Sequence, residues 1–369
     1  MLNHLSRRQL LQTGSGFVAA TASSALWGHL PALAQLNKQR RKPQQTLYVR
    51  GRYLYDSTGQ KMILRGVNLP LLDDWGFPKR DTLAELAKTG ANAVRIQWYK
   101  DYGQPSRPAY SLQDLDRFLA KCKVNRIIPI VFLGDLTCKP DPTMLNSQLI
   151  PWWTSQPVLA VLKKHQRYLI INLANELGVY RWSQNPAEAL QAYKTAYKTA
   201  ITSIRQHLHV PIMIDAPDCG TSIEVFTKIG KELINHDPDH NLLLSGHAYW
   251  AGYDGMSQLG AVIRANLPIV FGEIANKQFN DGQECYYDLD GMNENHAPIQ
   301  RNFTYQALLQ KLTEQEIGWL AWCWWKDKCP QRQMTQDGNF SGLTPYGNDL
   351  VNNPAYGLKA RARRSNAFG

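Results

Sequence analysis

Arg65-Gly66-Val67-Asn68-Leu69-Pro70 closes the first of eight short apolar runs in the chain, and its composition decides between two folds. The runs fall at 62–67, 92–96, 126–133, 168–173, 211–215, 242–247, 268–272 and 317–324. Their length and continuous apolar character mark strands buried on both faces. Helical stretches separate them: Asp81 caps one that ends at Gly90, and Ser111 caps another that places Leu112, Leu115, Leu119 and Cys122 on one face. Pro186 opens a long third, carrying Leu190, Tyr193, Ile201, Ile204 and Leu208. A doubly wound open sheet would need a glycine-rich phosphate loop after the first strand. The sequence 65–70 has neither G-x-G-x-x-G nor a Walker pattern. Eight strands alternating with helices predict a single (β/α)8 barrel, whose active site is built at the strand C-termini. A hairpin precedes it, with 47–55 and 61–65 flanking the turn Asp56-Ser57-Thr58-Gly59-Gln60.

The chain has 369 residues, 41 Lys+Arg against 30 Asp+Glu, and a formal charge of +11. The excess sits at the ends. Residues 1–42 hold six basic residues and no acid, and 361–369 hold Arg361, Arg363 and Arg364, again without an acid. The intervening body carries 32 basic and 30 acidic residues, a net +2. Nothing in it asks for nucleic acid, and no zinc-knuckle or helix-turn-helix pattern occurs. The first basic cluster, Ser6-Arg7-Arg8-Gln9-Leu10-Leu11, is similar to a twin-arginine export signal. Uncharged residues follow to Asn37, with Ala32-Leu33-Ala34 as a small-x-small cleavage site. Gly14, Gly16, Gly28, His29 and Pro31 make this stretch a poor membrane span. The expected layout is a signal at 1–34, a basic linker at 35–46, the barrel at 47–360 and a basic tail at 361–369.

In a barrel, polar residues at strand ends are the functional candidates. They are Arg95 on the second strand, Asp135 after the third, Asn175 and Glu176 after the fourth, and Asp215 on the fifth. His247 and Tyr249 follow on the sixth, Glu273 on the seventh, and Trp322 and Trp324 on the eighth. Glu176 and Glu273 each end an otherwise apolar strand, and strands four and seven lie across the ring from one another. Two glutamates facing across a barrel mouth suit glycoside hydrolysis with retention: one attacks the anomeric carbon, the other protonates the leaving oxygen, about 5 Å away. Tryptophan offers a flat face to a sugar ring.

These residues carry a resemblance. Arg65-Gly66-Val67-Asn68, Gly90-Ala91-Asn92-Ala93-Val94-Arg95, Asn175-Glu176, His247-Ala248-Tyr249, Gly272-Glu273 and Gly318-Trp319-Leu320-Ala321-Trp322-Cys323-Trp324 resemble the successive strand motifs of glycoside hydrolase family 5. That family comprises retaining cellulases and β-mannanases on a (β/α)8 barrel. Ile214-Asp215-Ala216-Pro217, Leu343-Thr344-Pro345-Tyr346-Gly347-Asn348 and Val351-Asn352-Asn353-Pro354 are similar to its bacterial mannanase subfamily 8.

The resemblance implies that Glu176 is the acid/base and Glu273 the nucleophile. Arg95 and Tyr249 would hold Glu273, Asn175 the sugar 2-hydroxyl, and His247 the acid side. Trp324 would form the platform beneath the cleaved sugar, and Asp135 would contact substrate. The implied activity is endo-β-1,4-glycan hydrolysis, on mannan or glucomannan first and β-1,4-glucan second, with no metal or organic cofactor. The partner would be a β-linked polysaccharide or oligosaccharide substrate, with no nucleic acid and no stable membrane partner after signal cleavage; the oligomeric state stays open, with a monomer expected. A barrel that binds glycans without cutting them is the alternative of another class. It would not need Glu176, Glu273, Arg95 and Tyr249 together. The chain departs from the family pattern at Gly134, where a His is usual, at Leu177, where Pro is usual, and in lacking a Trp near Asp218-Cys219-Gly220.

Other features stay open at this level. Six cysteines, at 122, 138, 219, 285, 323 and 329, lack C-x-x-C spacing and allow fifteen full pairings. Cys323 and Cys329 are the closest in sequence. The stretch 275–301 is long for a βα loop and reads as a solvated loop shaping the cleft. Its Asp288, Asp290, Asn293 and Glu294 do not have the spacing of an EF-hand. Trp152-Trp153 reads equally as a sugar platform or as the packed start of a helix.

Overall fold

A computed structural model of the chain describes residues 45–70, 81–100, 110–280, 283–291 and 303–368. The expected export signal and nearly all of the linker lie outside these residues, as do Asn293 and Glu294. Eight parallel strands close into a barrel. They are β1 (Arg65–Leu69), β2 (Ala93–Trp98), β3 (Ile128–Leu133), β4 (Ile170–Asn172), β5 (Ile212–Asp215), β6 (Leu242–His247), β7 (Ile269–Ile274) and β8 (Gly318–Ala321). Each pairs with its sequence neighbour, and β8 returns to β1 with Trp319 opposite Arg65.

The expected helix signals act as written. The Asp81 carboxylate accepts the Ala84 N–H to start helix Thr82–Ala87. Ser111 and Asp114 form a reciprocal capping box at the start of Leu112–Val124. Asn185 caps Pro186–Arg205, with Pro186 in the first turn, where its missing N–H leaves no bond unmade. The helices pack their apolar faces on the outside of the barrel through one large core that includes Leu115, Phe118, Leu119, Ile201, Ile204 and Phe226. No helix among the described residues is long and apolar enough to cross a membrane.

A second core fills the barrel's lower interior. Ala93, Ile128, Ile130, Ile170, Met213, Leu243, Val270 and Leu320 point inward from the strands, and Leu47, Leu54 and Met62 plug them from below. The plug is a three-stranded sheet (Tyr48–Arg50, Tyr53–Tyr55, Lys61–Met62) rather than a simple hairpin. The run 47–55 folds back on itself at Gly51, which takes φ +62°. Residues beyond 360 pack on the same end. Arg364 donates to the carbonyls of Asn125 and Ala87, and Ser365 Oγ donates to Asp56 at 2.7 Å. The bottom is thus shut by apolar packing, and polar side chains on the strands collect at the top.

Among the described residues, the start of the segment after β7 is regular rather than loop. Lys277–Asn280 and Gln283–Asp288 pair as an antiparallel hairpin. Asp288 is buried and ion-paired with Lys277. Disulfides join Cys138 to Cys219 and Cys285 to Cys329, while Cys122 and Cys323 are free and buried. Trp153 is fully buried and donates its indole N–H to Leu173 O, so it is packing, while Trp152 is half-buried.

Candidate active site

The upper barrel is organised around Arg95, whose side chain is fully buried. Strand periodicity points it inward from β2, and its planar guanidinium makes six hydrogen bonds. NH1 donates to Asn68 on β1 (3.0 Å) and Glu273 Oε1 on β7 (2.8 Å). Nε and NH2 both donate to Asn172 on β4, and NH2 also reaches Asn175 (2.7 Å) and Asp215 on β5 (2.9 Å). One rigid fork on β2 therefore ties together groups from four other strands, which a lysine could not do.

Glu176 follows β4 with φ +52°, an uncommon conformation for a residue with a side chain. Its N–H donates to Asp215 Oδ2 (3.3 Å). His247 at the end of β6 lies with Nδ1 2.6 Å from Glu176 Oε1 and Nε2 3.5 Å from Asp215 Oδ1. Burial alone would lower the His247 pKa, but the charges of Glu273 and Asp215 outweigh it and raise it to about 10. The ring is then cationic at neutral pH and both nitrogens carry a proton: Nδ1 donates to Glu176, while Nε2 faces the Asp215 charge without a hydrogen bond. Asp215 goes the other way: burial opposes its charge, yet Arg95 and His247 hold it at about 2. The imidazole can lie this close because its neighbours lack side chains. A Cβ at Gly272 would come within 2.6 Å of Ser245 Oγ and 2.8 Å of His247 Nε2, and one at Gly220 within 2.5 Å of His247 Cγ.

Glu273 accepts from Arg95 through Oε1 and from the Tyr249 hydroxyl through Oε2 (2.9 Å). One oxygen from each glutamate and one His247 nitrogen all lie within 4.8 Å of one another. Burial, and then the charges of Glu273 and Asp215, push the Glu176 pKa up to about 7 against the pull of His247. The site thus presents one carboxyl that holds a proton near neutrality and a second that is oriented by two donors.

Of the sequence candidates, Arg95, Asn175, Glu176, His247, Tyr249 and Glu273 converge in this network. Asp135 is engaged with the neighbouring loop, where Oδ2 accepts the Lys100 N–H (3.1 Å). Trp324 is a correction. It is fully buried, and its indole N–H donates to Gly338 O, so it has no face to offer a sugar. The expected strand 317–324 stops at Ala321, which leaves Trp322 as the first residue at the mouth. Trp322 is half-buried, donates its indole N–H to Asp327, and shares the Arg332 guanidinium with the Tyr249 ring. Gly134 is explained too: a Cβ there would lie 2.8 Å from Gln97 Nε2 and 3.0 Å from the Tyr99 ring. The Gln97–Tyr99 pair, bonded at 2.7 Å, fills the place a larger residue would take.

Asn68 and Asn172 join the site although the strand-end pattern does not single them out, and Trp322 and Asp215 stand out in it by position alone. Asn68 and Asn172 were visible as single amides inside apolar strands, a costly placement unless the amide has partners.

Comparison with known proteins fits this geometry. A family model described as cellulase (glycosyl hydrolase family 5) matches residues 55–328. The mannan endo-1,4-beta-mannosidase of Cellvibrio japonicus is 25% identical over 333 residues, 87% of this chain and 69% of that protein. The enzyme of the same name from Salipaludibacillus agaradhaerens is 26% identical, over 87% of this chain and 95% of its own. In structure, the β-mannanase from Thermomonospora fusca superposes with a TM-score of 0.71 at 22% identity, covering 88% of this chain and 99% of that one.

Proposed function

Because the chain belongs to glycosyl hydrolase family 5, and is therefore a retaining glycoside hydrolase, we propose that it is an exported endo-β-1,4-mannanase with Glu273 as nucleophile and Glu176 as acid/base. The observation that carries the assignment of roles is the pair of carboxyls with oxygens within 4.8 Å, one proton-bearing near neutrality and one held by Arg95 and Tyr249. The spacing suits double displacement, since it leaves no room for a water between carboxylate and sugar.

In the first step Glu273 attacks the anomeric carbon while Glu176 gives its proton to the departing glycosidic oxygen. The C–O bond to the leaving sugar breaks as the glycosyl ester forms. Esterification neutralises Glu273, which removes one of the charges that keep Glu176 protonated. Glu176, now ionised, takes a proton from water, and the water oxygen displaces Glu273 with net retention. Asn175, anchored by Arg95, is positioned for the sugar 2-hydroxyl. Trp322 replaces Trp324 as the aromatic floor. The intact pair, with both orienting donors, speaks against a barrel that only binds glycans.

Mannan is favoured over glucan by the two curated relatives, each aligned over 87% of the chain and each named for mannan. Export rests on the Ser6-Arg7-Arg8 signal and the Ala32-Leu33-Ala34 site, and a mature N-terminus at Gln35 in the exported protein is the expected mass-spectrometric result. The activity is tested by incubating residues 35–369 with mannan, glucomannan and soluble cellulose beside Glu273→Ala. Reducing ends should appear fastest from mannan and not at all with the variant. Release from none of the three would refute the enzyme, release only from cellulose would refute the specificity, and an active variant would refute the nucleophile.

A further inference from the structure

The two oxygens of Glu176 have different neighbours. Oε1 accepts from His247 at 2.6 Å, so a transferable proton belongs on Oε2. Against Oε2, at 3.1 Å, lies the sulfur of Cys138, bridged to Cys219. Cys138 stands in the turn after β3 and Cys219 in the turn after β5. These strands flank β4, so the bridge clasps the turn that carries Glu176 from both sides. The three turns are stitched together by further bonds. Asn175 Nδ2 donates to Thr137 Oγ1, Gly178 N–H to Lys139 O, Asp218 N–H to Gly178 O, and the N–H groups of Tyr180 and Arg181 both donate to the Asp218 carboxylate. Cys138, Glu176, Asp218 and Cys219 all sit at positive φ, between 51° and 57°. Such non-glycine conformations cost about 1–3 kcal/mol each and persist only where the surroundings fix them. Cys138 is exposed, so without the bridge its turn has little packing to hold it.

We infer that the Cys138–Cys219 disulfide is a positioning element for the general acid. It fixes the Glu176 turn and presents Oε2 with a sulfur wall on the leaving-group side. The inference rests on the reading of Glu176 as acid/base. A disulfide sulfur has no proton to donate, so it leaves the Oε2 proton free for the glycosidic oxygen. Reduction by a dithiol or phosphine reagent adds two electrons and two protons, breaks the S–S bond and yields two thiols. The Cys138 S–H then becomes a donor that competes at Oε2, and the turns after β3 and β5 are uncoupled.

The test separates loss of acid catalysis from general damage. Leaving-group protonation matters for a sugar leaving group and hardly at all for dinitrophenolate, whereas a misfolded site fails on both. The double variant Cys138→Ala/Cys219→Ala is compared with wild type on mannopentaose and on 2,4-dinitrophenyl β-mannobioside, reading kcat/KM, which reports the first step. The variant should lose about tenfold on mannopentaose, a fraction of the 10²- to 10⁴-fold that general acids supply, and less than about twofold on the aryl glycoside. Reducing the folded wild-type protein should reproduce the split. It should do so equally in Cys285→Ala/Cys329→Ala, which removes the other bridge. Equal losses on both substrates, or no loss on either, would overturn the inference. A wild-type protein inactive on both would instead overturn the glycanase reading.

Discussion

The proton on Glu176 should depend on the charge of Glu273, and Glu273→Gln measures how much. The substitution keeps the shape of the side chain and its acceptor oxygen toward Arg95 but removes the anion. Charges no more than 4.8 Å apart interact by at least about 3.5 kcal/mol at an effective dielectric constant near 20, equivalent to about 2.5 pH units or more. Arg95 at 2.8 Å compensates part of that charge, so roughly half is expected to be felt at Glu176. The sign follows from the loss of a neighbouring anion, which makes ionisation easier. The Glu176 midpoint should therefore move down from about 7 by about 1 to 2 pH units. The assay is ¹³C NMR of carboxyl-labelled glutamate, with Glu176→Gln/Glu273→Gln identifying the resonance that disappears. In the wild type the same group should make kcat/KM fall as pH rises through about 7, because only protonated Glu176 can act as acid. A midpoint unchanged within a few tenths of a pH unit in Glu273→Gln would refute the reasoning. It would mean that burial alone sets the proton, and that esterification of Glu273 does not switch Glu176 from acid to base.

Three further outcomes are expected. Arg95→Lys offers three N–H donors where the guanidinium makes six bonds, and at about 1 kcal/mol for each of three lost bonds the melting temperature should fall by about 4–5 °C. A thermal melt within 2 °C of wild type, taken here as about the error of the measurement, would contradict the keystone role. Trp322→Ala should reduce kcat/KM on mannan at least about tenfold with little change in melting, whereas Trp324→Ala should lower stability by about 3–5 kcal/mol, read by urea denaturation. The reverse pattern would return the platform to Trp324. Gly134→His should destabilise the protein and leave activity no higher, because the imidazole must displace the buried Gln97–Tyr99 pair. A more active variant of wild-type stability would refute that account.

The barrel was legible because strands buried on both faces leave unbroken apolar runs, and eight of them can be counted. Glu176 and Glu273 were legible as a pair, since a single carboxylate at the end of such a run is more often structural, as Asp215 is, but two of them facing across the ring suit one chemistry. What stayed hidden depends on where the chain stops being a strand. Trp322 and Trp324 share a parity, and only the end of β8 at Ala321 shows that one reaches the mouth while the other is covered by the turn at Gly338. The disulfide partners are 81 and 44 residues apart and come together only through the closed ring. Asp215 looked like one more strand-end acid, and its place between Arg95 and His247 is a property of the assembled barrel. The hairpin after β7 was hidden by its turn and charged residues, which read as solvated loop, although Lys277 neutralises Asp288 within it.

The packing of residues 364–366 on the sheet that plugs the barrel has a practical meaning. Ser365 and Asn366 both bond to Asp56, and Phe368 lies 5.1 Å from the Tyr168 ring. The first and last stretches of the folded body therefore meet on the face opposite the glutamates. Anything attached through the carboxyl end, whether a resin, a fluorophore or a second enzyme, would hold the molecule by its closed end and turn the open one toward the bulk. Long, stiff polymer chains could then approach an immobilised molecule without crossing the surface that holds it.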